Sequence, residues 1–209
     1  MPEFERARGR MVELLHGHGI HDRDVLEAMA HVPREEFVVP ELAAHAYDDT
    51  SLPIGAHQTI GRPYLVARMI EALSLRAGDH VLEVGTGCGY AAAVLARLAA
   101  RVDSIELRPL LADAARMRLD RLGYHNVMVR CGDGTLGWPE RAPFDAIVVS
   151  ATGPALPQAL RAELVVGGRL VMLVETRDGQ QLLRITRLGR DQYHHEELGA
   201  YVEEYEMPA

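Results

Sequence analysis

The stretch VLEVGTGCGYAAAVLARLA, residues 81–99, decides the fold class of this chain. An apolar run of strand type leads into a glycine-rich turn, and the turn opens an amphipathic helix, which is the context that gives such a turn its meaning. Gly85 permits the sharp turn, Gly87 lets the backbone approach a ligand, and the helix presents unpaired N–H groups with partial positive charge. The stretch therefore predicts a binding site for a nucleotide-like ligand.

On both sides of this turn, short apolar runs alternate with helical stretches. Strands that alternate with helices predict right-handed crossovers, a parallel sheet and helices on both of its faces, an α/β fold. The tail 180–207 alternates apolar and polar residues around 188–191, which predicts one or two added antiparallel strands. The predicted strands are 80–84, 102–106, 126–130, 144–150 and 167–174, and the predicted helices are 90–100, 109–122 and 157–164.

The N-terminal third has a different character. Apolar spacing predicts a helix over 6–18 and a second helix that Asp22 caps and Pro33 ends. Residues 33–60 contain several prolines and show no sustained period, so we expect an irregular surface segment, and long loops of this kind usually carry function. Pro63 can begin a further helix that runs to Leu75.

Composition bounds the classes of function. The chain has 209 residues, 48% of them hydrophobic, and a net charge of −8, which disfavours nucleic acid as a partner because such binding depends on Lys and Arg. Cys88 and Cys131 form no disulfide or zinc pattern, and the ten histidines have no metal-ligand spacing, so we expect no metal. Without a long apolar N-terminal stretch, we expect a cytoplasmic protein with no membrane partner.

Three acids narrow the identity of the ligand. The turn has Tyr90, not glycine, at the sixth place of a GxGxxG pattern, which weakens a dinucleotide interpretation. Glu106 follows Gly85 by 21 residues, where an acid can accept both ribose hydroxyls. Glu83 can face an ammonium group and Asp133 an adenine amine. Each acid alone could equally be a helix cap or a solvated loop residue, but together they favour a cationic adenosine compound.

A set of motifs between about Met11 and about Arg187 carries a family resemblance. The motifs are Val32-Pro33-Arg34-Glu35, Ala46-Tyr47, Leu52-Pro53-Ile54-Gly55, Gln58-Thr59-Ile60, Pro63-Tyr64, the turn 83–90, Ser104-Ile105-Glu106, Leu122-Gly123-Tyr124, Gly132-Asp133-Gly134-Thr135 with Gly137-Trp138, Pro143-Phe144-Asp145-Ala146 and 167–171. In these residues the chain resembles the protein-L-isoaspartate O-methyltransferase family.

The resemblance implies a Rossmann-like S-adenosylmethionine-dependent methyltransferase fold, with a mostly parallel seven-stranded sheet and extra N-terminal helices. It implies a single domain, in which 1–62 form those helices and an active-site loop, 63–188 the core and 189–209 a C-terminal strand. It also implies methyl transfer from S-adenosylmethionine to the free carboxylate of L-isoaspartyl residues in damaged peptides or proteins, by an enzyme that we expect to be a monomer.

Site residues are implied in the same way. The catalytic candidates are Thr59 and Gly61, which occupies the position of the family's serine, and the substrate-binding candidates are Ile54, Gly55 and Ile60. His57 is a further catalytic candidate for a different reason: it lies in the same loop and could hydrogen-bond a substrate carboxylate, with an exposed loop histidine as the equal alternative. The cofactor-binding candidates are Gln58, Thr59, Glu83, Gly85, Thr86, Gly87, Gly89, Tyr90, Glu106, Leu107, Asp133 and Gly134.

The chain departs from the family pattern in two places. The active-site loop has Gly61 where the family has serine and His57 where it has glycine, and residues 199–205 replace the strand that lines the family's peptide site. The added carboxylates near that end would repel an acidic peptide. Two alternatives therefore stay open: a carboxyl methyltransferase specialised for one Asp-containing peptide, and a cofactor-binding protein without isoaspartyl activity.

Overall fold

The computed structural model describes residues 2–153, 156–177 and 179–201. Helices α1 (Pro2–Gly17) and α2 (Arg23–His31) come first, and the Asp22 side chain accepts hydrogen bonds from the backbone N–H groups of Asp24 and Val25, as the predicted cap requires. Helix α1 begins earlier than predicted. Within the described ranges, the structure has no helix that combines the length and the apolar character needed to span a membrane.

The segment 33–60 is more ordered than predicted. It forms two short 3-10 helices, Arg34–Phe37 and Pro40–His45, and then an antiparallel hairpin of strands β1 (Leu52–Gly55) and β2 (Gln58–Ile60). The prediction of an irregular segment was wrong here because the strands are very short and the turn between them lacks the usual Asn-Gly or Asp-Gly signal.

Helix α3 (Pro63–Leu73) follows the hairpin and ends two residues before the predicted limit. The core after it alternates as predicted. Its elements are β3 (His80–Val84), α4 (Tyr90–Leu98), β4 (Arg101–Glu106), α5 (Pro109–Arg121), β5 (Val127–Cys131), β6 (Phe144–Gly153), α6 (Gln158–Ala162), β7 (Leu164–Thr176), β8 (Gly179–Arg187) and β9 (Tyr193–Tyr201).

The main sheet has seven strands in the order β5-β4-β3-β6-β7-β8-β9. The pairs from β5 to β7 are parallel, while β7 with β8 and β8 with β9 are antiparallel. This confirms the predicted α/β fold, the parallel sheet and the two added strands. The predicted C-terminal segment 189–209 is described as far as β9, and residues 202–209 lie outside the described residues.

Both faces of the sheet are covered. Adjacent residues of β3 show this, because Val81 packs in the cluster that includes α1 to α4 whereas Leu82 packs in a second cluster with Phe144 and Leu160. Since successive side chains of a strand point to opposite faces, the two clusters lie on opposite sides of the sheet. The carboxyl ends of β3 and β4 are thereby held rigidly for a site.

Candidate functional site

A cavity of about 130 Å³ lies at the carboxyl ends of β3, β4 and β6. The hairpin and helix α3 form its other walls. The N-terminal segment that was predicted to be irregular and the glycine-rich turn therefore meet at one cavity. Nine of the predicted site residues line this cavity: Gln58, Thr59, Ile60, Gly61, Gly85, Thr86, Gly87, Tyr90 and Glu106.

The glycine-rich turn is shaped by contacts on two sides. Gly87 has φ of 54°, and a β-carbon built on it would lie 3.2 Å from Ile54 Cδ1 of the hairpin. Gly89, at φ 93°, caps α4, and a β-carbon there would lie 3.2 Å from Leu119 Cδ1 of α5. Gly89 is thus required by the packing of two helices, and it does not line the cavity.

Glu106 is the carboxylate of the cavity. It is 6% exposed at the end of β4, Oε2 accepts a hydrogen bond of 2.8 Å from the Gly87 N–H, and Oε1 accepts one of 2.9 Å from the Arg108 N–H. Each carboxylate oxygen can accept more than one hydrogen bond, so the group keeps capacity for ligand hydroxyls. The two backbone bonds hold it rigidly in the position predicted for a ribose-binding acid.

Glu83 lies beneath the cavity floor and does not line it. Its side chain is fully buried, Oε2 accepts a 2.5 Å hydrogen bond from Ser104 Oγ, and Oε1 has no partner among the described residues. Burial raises the pKa of Glu83 to about 8, against the lowering effect of the Ser104 bond and with a small further rise from Glu106. The acid is therefore mostly protonated at neutral pH, which differs from the predicted ammonium-binding carboxylate.

Glu83 still reaches the cavity through a chain of hydroxyls. Ser104 Oγ lies 2.5 Å from Thr86 Oγ1, and Thr86 is a cavity residue. The acid on β3 therefore orients a side chain of the turn through a neighbouring strand. Any influence of Glu83 on a ligand would pass along this chain.

Asp133 also lies outside the cavity lining. Its exposed Oδ1 accepts hydrogen bonds from the N–H and the hydroxyl of Thr135, which lower the pKa of Asp133, and it caps the short 3-10 helix Gly134–Leu136. Gly134 packs directly on Val84 and has no room for a β-carbon. Asp133 is thus a helix cap, the alternative that the sequence left open for this acid. Its predicted contact with the adenine amine stays a prediction.

The hairpin turn separates residues that line the cavity from residues that do not. Ala56 and His57 occupy its two central positions with φ of 50° and 55°, a conformation that is costly for residues other than glycine. The predicted catalytic residue His57 and the predicted substrate-binding residue Gly55 are exposed at this turn and lie outside the cavity lining. The predicted substrate-binding residue Ile54 is half-buried and also lies outside the lining. Leu107, 62% exposed, lies outside the lining as well.

Sequence reasoning missed half of the lining. Helix α3 contributes Leu65, Val66, Met69 and Ile70, and other lining residues are Cys88, Ala91, Val148, Ser150 and Ala151. The sequence predicted these α3 residues only as part of a helix, and apolar residues on one face of a helix do not distinguish a core contact from a cavity wall. Among the described residues, no group of three or more His, Cys, Asp or Glu side chains gathers to hold a metal.

Comparison with known proteins matches this geometry to one family. The family model for protein-L-isoaspartate(D-aspartate) O-methyltransferase matches residues 6–202. The protein-L-isoaspartate O-methyltransferase of Methylorubrum extorquens is 56% identical over 200 residues, covering 95% of this chain and 87% of the relative. That of Magnetococcus marinus is 51% identical over 199 residues, with the same shares of the two chains covered.

Solved structures agree. A structure described as a protein-L-isoaspartate O-methyltransferase has a TM-score of 0.80 at 28% identity over 92% of this chain, which spans 64% of that structure's length. A second structure, described as a candidate protein-L-isoaspartate O-methyltransferase from Plasmodium falciparum, was crystallised with S-adenosyl-L-homocysteine. It has a TM-score of 0.79 at 25% identity over 94% of this chain and 96% of its own.

Proposed function

This chain belongs to the protein-L-isoaspartate(D-aspartate) O-methyltransferase family, and from that premise we propose that it methylates the free carboxylate of L-isoaspartyl residues in damaged peptides or proteins. The methyl donor is S-adenosylmethionine. One observation carries the proposal: the Glu106-anchored glycine turn and the hairpin residues Gln58–Ile60 line one cavity. The proposal therefore puts the cofactor site and the site for the methyl acceptor next to each other.

The residues of the cavity fit an adenosine cofactor. The Glu106 carboxylate suits a ribose diol, and apolar α3 residues such as Met69 and Ile70 suit an uncharged ring or chain. We propose that Gln58, Thr59, Thr86 and Glu106 hold the cofactor. When bound, it supplies an electrophilic methyl group on a cationic sulfur.

Catalysis of this reaction depends more on the alignment of the reacting groups than on proton transfer by the protein. A substrate carboxylate with a pKa near 4 is ionised at neutral pH, so no general base is needed to make it nucleophilic. Good alignment of reacting groups contributes about 7 to 11 kcal/mol at most. We assign that alignment to the hairpin, where the Thr59 hydroxyl can donate to the substrate carboxylate and Ile60 excludes water.

Gly61 bears on substrate choice. It lines the cavity but has no side chain, whereas the family pattern has a serine there, so one hydrogen-bond donor to the substrate is missing. This observation favours a second candidate function, methylation of one particular Asp-containing peptide. A third, cofactor binding without turnover, rests on the same residue. We also propose that the protein is a monomer, acts in the cytoplasm and does not bind nucleic acid. The net charge of −8 supports the last of these three points.

The deciding experiment compares two versions of one peptide, with isoaspartyl or aspartyl at the same position, using methyl-labelled S-adenosylmethionine. The proposal expects label in the isoaspartyl peptide at least tenfold faster. Equal or reversed rates would support the specialised enzyme, and label in neither peptide together with calorimetric binding of S-adenosylhomocysteine would support the binding protein. Glu106→Ala should abolish both binding and transfer, whereas Asp113→Asn on the exposed face of α5 serves as the control.

A further inference from the structure

Arg34 is a cation with no exposed surface, in the 3-10 helix that precedes the hairpin. Its Nε donates a 2.7 Å hydrogen bond to the carbonyl oxygen of Ala46, and its Nη2 donates another of 2.7 Å to the carbonyl oxygen of Gly61. Its Nη1 is buried without an acceptor among the described residues. The guanidinium therefore bonds two backbone carbonyls that lie far apart in sequence.

These two carbonyls flank the hairpin. Residues 47–60 lie between them and contain both strands, and Gly61 itself lines the cavity. The guanidinium carbon also lies 4.6 Å from the centre of the Tyr90 ring, and Tyr90 is the first residue of α4, directly after the glycine-rich turn. One side chain thus connects the backbone before and after the hairpin to the helix that follows the cofactor turn.

Such a cation is a poor choice for stability alone. No carboxylate forms an ion pair with Arg34 within the part of the chain that the structure describes, and desolvation lowers the pKa of its guanidinium. An apolar side chain of similar volume would avoid the cost of burying a charge, but it would leave the carbonyl oxygens of Ala46 and Gly61 without this donor. The planar fork supplies what an apolar side chain lacks, two directed donors that fix the distance between two carbonyls.

We propose that Arg34 is a positioning residue, which holds the hairpin residues Thr59 and Gly61 in place above the glycine-rich turn. The proposal rests on the proposed function for its kinetic consequence. Its structural consequence, a hairpin that opens more readily when the fork is lost, is independent of the substrate.

The test uses Arg34→Met, which keeps most of the volume, and Arg34→Lys, which keeps the charge but not the fork. Arg169→Met is the control, because Arg169 also bonds two backbone carbonyls, of Leu73 and Ser74, and in addition pairs with Asp79, but lies level with the first residues of β6, away from the cavity. Measurements are kcat and KM with an isoaspartyl peptide, calorimetric Kd for S-adenosylhomocysteine, melting temperature, and amide hydrogen exchange of 52–60.

For Arg34→Met we expect about a 10- to 100-fold fall in kcat, because misplacing a reacting group by about 1 Å can lower the rate about 100-fold. The KM for the peptide should change less, and exchange in 52–60 should become at least tenfold faster. The melting temperature should fall as it does for Arg169→Met, because each methionine leaves two backbone carbonyl oxygens without their donor. Arg34→Lys should recover part of the kcat. Arg169→Met should show a lower melting temperature with normal kcat and normal hairpin exchange.

Wild-type kcat and wild-type hairpin exchange in Arg34→Met, or a loss of stability that accounts for all of the lost activity, would overturn the proposal. If the methionine variant does not fold, the lysine variant decides by the same two measurements. If the wild-type protein methylates no isoaspartyl peptide, only the proposed function is refuted. Hydrogen exchange of 52–60 and the binding of S-adenosylhomocysteine still test the role of Arg34.

Discussion

The side chain of Ile54 lies against Gly87, so closely that a β-carbon on the glycine would stand 3.2 Å from Ile54 Cδ1. Through this contact the hairpin rests directly on the cofactor turn, and the two parts of the cavity are mechanically joined. A side chain at position 87 would have to displace the hairpin, the ligand or both.

Gly87→Ala should therefore weaken cofactor binding more than it weakens the fold. The positive φ costs about 1 kcal/mol for alanine, and the contact with Ile54 adds displacement of the hairpin, so we expect at least tenfold weaker binding of S-adenosylhomocysteine by calorimetry. Gly123→Ala is the control, since Gly123 has φ of 82° but no atom near a new β-carbon. Equal affinity losses in both variants would contradict the contact argument.

Gly61→Ser should raise activity. A β-carbon at position 61 meets only Val66 Cγ2, at 3.5 Å, so a serine fits. One hydrogen bond to a charged group contributes about 1.5 to 3 kcal/mol, which corresponds to a gain of about tenfold to a hundredfold in kcat/KM for an isoaspartyl peptide. Gly61→Ala adds the β-carbon without the hydroxyl and should show no gain. If Gly61→Ser is no faster than Gly61→Ala, a hydroxyl at this position does not contribute to methyl transfer.

His57→Gly should stabilise the protein and leave methyl transfer unchanged. His57 has φ of 55° and an exposed side chain outside the cavity lining, so glycine relieves about 1 kcal/mol of backbone strain. Denaturant titration should show a higher midpoint with an unaltered slope. If kcat falls tenfold instead, the imidazole takes part in catalysis, as the sequence first suggested.

Glu83→Gln should change how stability depends on pH. The pKa of Glu83 is about 8 in the folded protein and near 4.5 when unfolded, so the folded state holds a proton that the unfolded state releases between these values. Stability from this group is thus fully present below pH 4.5 and is lost as pH rises towards 8. The loss is on the order of 3 to 5 kcal/mol.

The measurement is the free energy of unfolding of wild type and Glu83→Gln from pH 5 to pH 8.5. Because the amide does not titrate, the variant should lose less stability than wild type as pH rises. Parallel curves would mean that Glu83 ionises normally in the folded protein.

Much of the fold could be predicted because its signals are local. The strand, the turn and the helix of 81–99 follow one another in the chain, and the change from helical to strand periodicity marks each later element. Glu106 could be predicted as well, since the strand that follows a glycine turn and its helix usually lies next to the strand before the turn in a parallel sheet. The hairpin could not, because Ala56 and His57 adopt a turn that their residue types disfavour.

The three acids show where local signals stop. Glu83, Glu106 and Asp133 occupy equivalent places at or near strand ends, yet one is buried under the floor, one lines the cavity and one is exposed as a cap. Strand position does not determine which neighbours a side chain meets. Those neighbours, Ser104, the Gly87 N–H and Thr135, come from other parts of the chain or from the local turn.

The sequence by itself determined the order of the elements, the parallel sheet and the place of the cofactor turn, since periodicity and turn chemistry act between residues close in the chain. Only the tertiary structure decided that Arg34 bonds the backbone on both sides of the hairpin, that Ile54 rests on Gly87 and that Glu83 holds its proton. Each of these depends on burial and on contacts between distant segments, where desolvation and packing outweigh local preference.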